Sequence, residues 1–201
     1  MKDDRPRVYC SGSLFNDKER EEMLEIADAL ERAGFSTFLP QRDGFEFKPL
    51  LPALIGMGIE PERATELWDK AIFALDAFQA AIGCRAMIVN LNGRVPDEGA
   101  VAEAALAWSC GNIVVGYKAD VRSLLAGRDN AMVSGLFGFR TCGSIGSAVE
   151  SVAQSLRNTS PLTRRADEIG GAIRDALALG KRLSEAPEAG DDLDAAVRLL
   201  L

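Results

Sequence analysis

"AMIVNLNGRVPDEGAVAEAALAWSCGNIVVGY" (residues 86–117) sets two apolar runs, AMIVNL and NIVVGY, on either side of a loop and a helical segment. Each run has the length of a strand and no polar alternation, the pattern of strands covered on both faces. A strand, a helix and a second strand in that order form a parallel pair with the helix as crossover. From Gly99 through Gly111, Glu103 is the only charged residue. A helix that wants to be buried does not usually carry a lone carboxylate, so Glu103 calls for a reason beyond packing.

The same alternation extends outward. Upstream, RVYCSGSLF starts as a strand and ends in a Ser/Gly turn. A helix follows, with Asn16 as its cap, Met23, Leu24, Ile26, Ala27 and Leu30 on one face, and Gly34 as its stop. FSTFLP is a second strand closed by Pro40, and QRDGFEFKPLLPALIGMGIEPE a long Pro- and Gly-rich loop with room for a helical turn. Loops of that length in compact domains tend to be functional. PERATELWDKAIFALDAFQAAIGC reads as a helix with Pro61 in its first turn. Downstream come VRSLLAG as a short helix or turn, NAMVSGLFG, and the helix IGSAVESVAQSL. The alternation predicts an α/β fold: a parallel sheet with helices on both faces. Residues 1–157 are read as this domain and residues 158–201 as a helical C-terminal extension. The extension carries Leu162, Ala166, Ile169, Ile173 and Leu177 at helical spacing, the linker EAPEAGDD and the short helix LDAAVRLLL. It is expected to pack on the domain or to join copies of the chain.

Bulk properties narrow the chemistry. The chain has 201 residues, of which 47% are hydrophobic, and a net charge of −7 with no long basic stretch. Nucleic acid and anionic membrane are thereby disfavoured as main partners, leaving a small neutral or cationic ligand. There is no histidine, and the four cysteines Cys10, Cys84, Cys110 and Cys142 form no C-x-x-C pair, so no metal site is expected and imidazole catalysis is excluded. No apolar run is long enough to span a bilayer and the N-terminus has no apolar signal region, so the expectation is a cytoplasmic protein.

In parallel sheets ligands bind beyond the carboxyl ends of the strands. Glu103 falls there, near the free N–H groups of a helix N-terminus, a setting for an ionised and aimed carboxylate. Such a group is a nucleophile, although a glutamate placed only for the helix dipole fits its position as well. Asp97 lies in the loop at the same strand end, Asp76 mid-helix, where a solvated face is its ordinary explanation, and Tyr9 at the end of the first strand. Carboxylates around a cleft with a tyrosine hydroxyl suit glycosidic-bond chemistry.

VYCSGSLFNDKER, FLPQRDG and NLNGRVPDEGAVAEAALAWSCGNIVVGYKADVR together resemble the nucleoside 2-deoxyribosyltransferase family over residues 7–140. The resemblance implies a flavodoxin-like doubly wound parallel sheet of about five strands. It implies transfer of 2-deoxyribose from a 2′-deoxynucleoside to a free nucleobase through a covalent glutamyl sugar, with no cofactor. It also implies a homo-oligomer with active sites shared between subunits. By position Glu103 resembles the nucleophile, Asp97 the aspartate six residues before it, Asp76 the aspartate that shuttles the base proton, and Tyr9 the tyrosine that orients the nucleophile. Gly12, Phe15, Arg42, Asp43, Trp68, Gly99, Asn130 and Met132 correspond to substrate-binding positions, Asn130 and Met132 on a segment given to a neighbouring subunit. The chain departs from the family pattern at Asn92, where aspartate is frequent, and at Ala105, where glycine is usual. A nucleoside or nucleoside 5′-monophosphate N-glycosidase using the same glutamate is one alternative. A non-catalytic nucleotide-binding module, with Ser11 and Ser13 in its first turn, is another.

Overall fold

The computed structural model describes residues 4–121, 128–159, 173–185 and 193–201. VRSLLAG and the first half of the C-terminal helical pattern, with Leu162, Ala166 and Ile169, therefore lie almost wholly outside the described residues, as does most of EAPEAGDD. The described chain falls into two compact units, Met1–Leu39 with Ala80–Thr163, and Pro40–Gln79 with Arg164–Leu201.

The first unit contains the sheet. Its strands are β1 (Arg7–Ser11), β2 (Ser36–Phe38), β3 (Ala86–Asn90), β4 (Ile113–Tyr117) and β5 (Thr141–Cys142). They run parallel in the order β2-β1-β3-β4-β5, the flavodoxin-like doubly wound arrangement. β5 has two residues, too short for any periodicity to announce. Helices α1 (Asp17–Arg32), α5 (Glu98–Ser109), α6 (Ala131–Leu136) and α7 (Ile145–Asn158) belong to this unit among its described residues.

Strand alternation sorts the core. Val8, Cys10, Ala86, Ile88, Val115 and Tyr117 pack with Met23, Ile26, Ala27 and Leu30 of α1 and Ala148 and Val152 of α7. The intervening residues of β1, Tyr9 and Ser11, face the side covered by α5 and pair in register with Met87 and Val89 of β3. α1 starts where Asn16 accepts a hydrogen bond from the Glu19 N–H at 3.0 Å, and Gly34, with φ +91°, follows its end. Cys10, Cys84 and Cys110 are buried thiols.

α7 opens with a capping box, in which Ser144 accepts from the Ser147 N–H and Ser147 in turn accepts from the Ser144 N–H, each at 3.2 Å. Ser144→Ala is expected to cost about 1 kcal/mol of stability, read as a lowered urea midpoint with an unchanged slope. An unchanged midpoint would mean that solvent replaces the cap.

The second unit is helical among its described residues: α2 (Pro40–Asp43), α3 (Leu50–Gly56), α4 (Pro61–Phe78), α8 (Ile173–Glu185) and α9 (Leu193–Leu200). The long loop of the sequence thus contains two short helices. α8 lies against α4 so closely that a Cβ at Gly180 would fall on the Ala74 carbonyl and 2.6 Å from the Phe78 Cβ. The Gln79 amide donates to the Ser184 hydroxyl at 3.2 Å and ties the same two helices. A π-helical turn, Gln79–Gly83, follows α4. Among the described residues no helix is long and apolar enough to cross a membrane.

Candidate active site

The strand order reverses between β1 and β3, because the chain leaves β1 toward β2 on one side and β3 toward β4 on the other. Such a switch point opens a crevice at the carboxyl ends of the two strands. α5 leaves from the β3 side of it and β1 supplies the floor.

α5 begins at Glu98 with Asp97 as its N-cap, and the Asp97 carboxylate accepts from the Ala100 N–H at 2.8 Å. A Cβ at Gly99 would come within 3.1 Å of that capping oxygen, so a small residue there keeps the cap open. Glu103 lies in the second turn, too far along for the unpaired N–H groups of the helix start to be its donors. The donors are hydroxyls. Tyr9 donates to Oε1 at 2.8 Å and Ser11 to Oε2 at 2.6 Å. Both are fully buried on one face of β1, two residues apart, and Glu103 itself is half-buried. Each carboxylate oxygen therefore has its own donor, at the short distances of bonds to a charged acceptor. The side chain is held in one orientation at the switch point. Phe38 of β2 lies against the Tyr9 ring, with centroids 5.2 Å apart, and fixes the phenol from behind.

On the other face of the sheet, Glu22 of α1 accepts from the Asn90 amide at 3.0 Å, from the Tyr117 hydroxyl at 3.3 Å and from the Asn92 amide. Burial raises the pKa of the Tyr117 hydroxyl, and the charge of Glu22 adds to that effect. The Asn92 carbonyl oxygen accepts from the Ala119 and Asp120 N–H groups at 2.8 and 2.9 Å, joining the loops after β3 and β4. An aspartate at 92 would keep the second set of bonds but set a carboxylate against Glu22, which accounts for asparagine here. Ala105 is exposed, so its methyl group meets no core.

The remaining sequence-derived positions fall as follows. Gly12 follows β1, where a Cβ would lie 2.6 Å from the Met23 sulfur and 2.9 Å from the Asn90 Cβ. Phe15 is 81% exposed. Asn130 caps α6, accepting from the Met132 N–H at 2.8 Å, and Met132 is 82% exposed. In the second unit Asp76 is buried within α4 rather than on a solvated face. Trp68, on the same helix, donates from its indole to the Phe45 carbonyl at 3.0 Å. Arg42 and Asp43 form an adjacent ion pair at 3.0 Å.

One residue of the site escaped the sequence. Ser11 was assigned to a turn, yet β1 extends through it. Its place two residues after Tyr9 is the signal that would have put both hydroxyls on one face.

A family model described as nucleoside 2-deoxyribosyltransferase matches residues 8–158. A crystal structure of a conserved protein from Enterococcus faecalis V583 has the same fold, with a TM-score of 0.53 and 16% identity, covering 75% of this chain and 99% of that one. A 2-desoxiribosyltransferase from Leishmania mexicana aligns with a TM-score of 0.44 and 12% identity, covering 74% of this chain and 97% of that one. No curated protein matches the chain.

Proposed function

Because the chain belongs to the nucleoside 2-deoxyribosyltransferase family, we propose that it moves 2-deoxyribose between nucleobases with Glu103 as nucleophile. One observation carries the assignment: a carboxylate at the switch point of a doubly wound sheet, each oxygen fixed by a buried hydroxyl. Glu103 attacks the anomeric carbon from the face opposite the base. The C–N bond breaks through an oxocarbenium-like transition state, and an ester joins the sugar to Glu103. Asp76 gives its proton to the departing base nitrogen. A second base then attacks the ester carbon, its N–H proton passes to Asp76, and Glu103 leaves as a carboxylate. Two inversions give net retention.

Support for Asp76 comes from the family pattern around it, and support for Tyr9 and Ser11 from their bonds to Glu103. Asp97 serves through the cap that starts α5 and so aims Glu103. Gly12, Phe15, Arg42, Asp43, Trp68 and Gly99 keep the substrate-binding assignment of the family pattern. Asn130 and Met132 are assigned to the site of a neighbouring copy, in keeping with the exposure of Met132.

The test is to incubate a 2′-deoxynucleoside with a different free base, and its 5′-monophosphate with water, in parallel. A new deoxynucleoside in the first mixture supports transfer. Free base released only from the second would replace this reading with hydrolysis. Tyr9→Phe removes one donor from the Glu103 carboxylate. A hydrogen bond to a charged group contributes about 1.5–3 kcal/mol, so kcat/KM is expected to fall roughly ten- to hundredfold. Steady-state kinetics on the variant would check this, and wild-type values would remove Tyr9 from the mechanism.

A further inference from the structure

Beside β5, in the unit that holds the sheet, Arg128, Asp129, Ser134, Phe139, Arg140 and Thr141 line an open cavity of about 450 Å³. None of them enters the assignments above, and the volume lies in the range of small-molecule sites. The carboxylate in this wall is already answered, because Asp129 pairs with the ammonium of Lys118, whose side chain is 8% exposed. Among the described residues no hydrogen bond or ion pair engages the Arg128 or Arg140 guanidinium. The wall thus carries two spare positive charges in a chain whose net charge is −7. Such a local reversal of charge gathers anions at one place on an acidic surface.

The turn after α6 sets the rest of the wall. The Phe139 N–H donates to the Ser134 carbonyl at 2.8 Å and the Gly138 N–H to the Gly135 carbonyl at 3.1 Å, closing the helix. Gly138 takes the left-handed conformation at φ +60° without strain, but Phe139 repeats it at φ +62°. Among the described residues Phe139 is the one non-glycine residue at positive φ, a strained state for a bulky side chain. Its ring is 75% exposed, so burial does not offset that strain. Backbone strain of this kind persists where a ligand needs the geometry. An exposed aromatic face stacks on a planar base, and guanidiniums bind phosphate through paired N–H groups. The Ser134 and Thr141 hydroxyls of the wall can donate to further oxygens. We propose that this cavity binds a nucleoside monophosphate, with its phosphate on Arg128 and Arg140 and its base on Phe139, at a site separate from Glu103. The proposal does not depend on the transfer reaction.

Calorimetric titration with adenosine 5′-monophosphate, whose 2′-hydroxyl sets it apart from a deoxyribosyl donor, tests the site. The nucleotide should bind with an affinity that falls as salt rises. Adenosine alone and inorganic phosphate alone should each bind at least about tenfold more weakly. Arg128→Met and Arg140→Met should each weaken the nucleotide by about tenfold or more and leave the transfer rate unchanged. Phe139→Gly should weaken it too, yet raise the urea midpoint, because glycine relieves the left-handed strain. A phenylalanine placed only for structure would not move the two readouts in opposite directions. Glu103→Gln should bind the nucleotide as the wild type does, and excess 2′-deoxyadenosine should leave it in place. Displacement by the deoxynucleoside would put the nucleotide at the Glu103 site and overturn the proposal. No binding at millimolar nucleotide, or binding that neither arginine variant weakens, would overturn it as well. Inorganic phosphate held as tightly as the nucleotide would overturn the part given to Phe139. Nucleotide binding of the expected kind in a chain that transfers no deoxyribose would uphold this site and remove the proposed reaction.

Discussion

Glu103→Gln is expected to lose at least ~10³-fold in transfer rate while folding as the wild type does. The substitution keeps the shape of the side chain and its acceptor toward one of the two hydroxyls, and the hydroxyl facing the new amide can rotate. An amide, however, cannot form the sugar ester on which both halves of the exchange depend. The loss should fall on kcat, since the substrate is bound by other groups. The sharper measurement is covalent. A 2′-fluoro-2′-deoxynucleoside withdraws electrons from the oxocarbenium-like transition state and slows breakdown of the intermediate. Wild-type protein should gain the mass of the fluorinated sugar, and Glu103→Gln should gain none. An adduct of equal mass on the variant would place the nucleophile elsewhere. Tight binding without any adduct on the wild type would favour a ligand-binding module over an enzyme.

The largest effect on stability is expected at Gly180. Glycine in a helix interior costs about 1 kcal/mol relative to alanine, so its presence on α8 needs a compensating reason. That reason is contact: the space a Cβ would take holds the Ala74 carbonyl and the Phe78 Cβ of α4. A backbone carbonyl in a helix cannot step aside as a flexible side chain can. Gly180→Val should therefore push α8 off α4 and cost about 3 kcal/mol or more, at the upper end of overpacking. Gly180→Ala, where the gain in helix propensity offsets part of the clash, should cost less. Urea denaturation orders the three proteins. Because Asp76 lies on α4 between Ala74 and Phe78, Gly180→Val should also lower the transfer rate, an effect that a loosely attached C-terminal helix would not produce. Wild-type stability in the valine variant would show that α8 does not dock on α4 in solution.

The elements were largely legible in the chain. AMIVNL and NIVVGY are apolar without alternation because both faces of β3 and β4 are covered. Asn16, Pro61 and Gly34 mark helix ends through hydrogen bonds and dihedral preferences that act within a few residues. β5 was not legible, since two residues carry no period. The helices α2 and α3 were read as loop, because Pro40, Pro49 and Pro52 and the glycines around them obscure helical spacing.

By itself, the amino-acid sequence determined that this chain builds a parallel α/β sheet and carries an unexplained carboxylate at a strand end, because hydrophobic period, caps and turn residues are local properties. It also carried the family pattern that singled out Glu103, Asp76 and Tyr9. Only the tertiary structure decided what holds Glu103. The strand order sets β1 beside β3, and the alternation of β1 aims the hydroxyls of Tyr9 and Ser11 at a residue 94 and 92 positions away. Contacts between residues so distant in the chain depend on how elements pack, and no pattern within a single element records that choice.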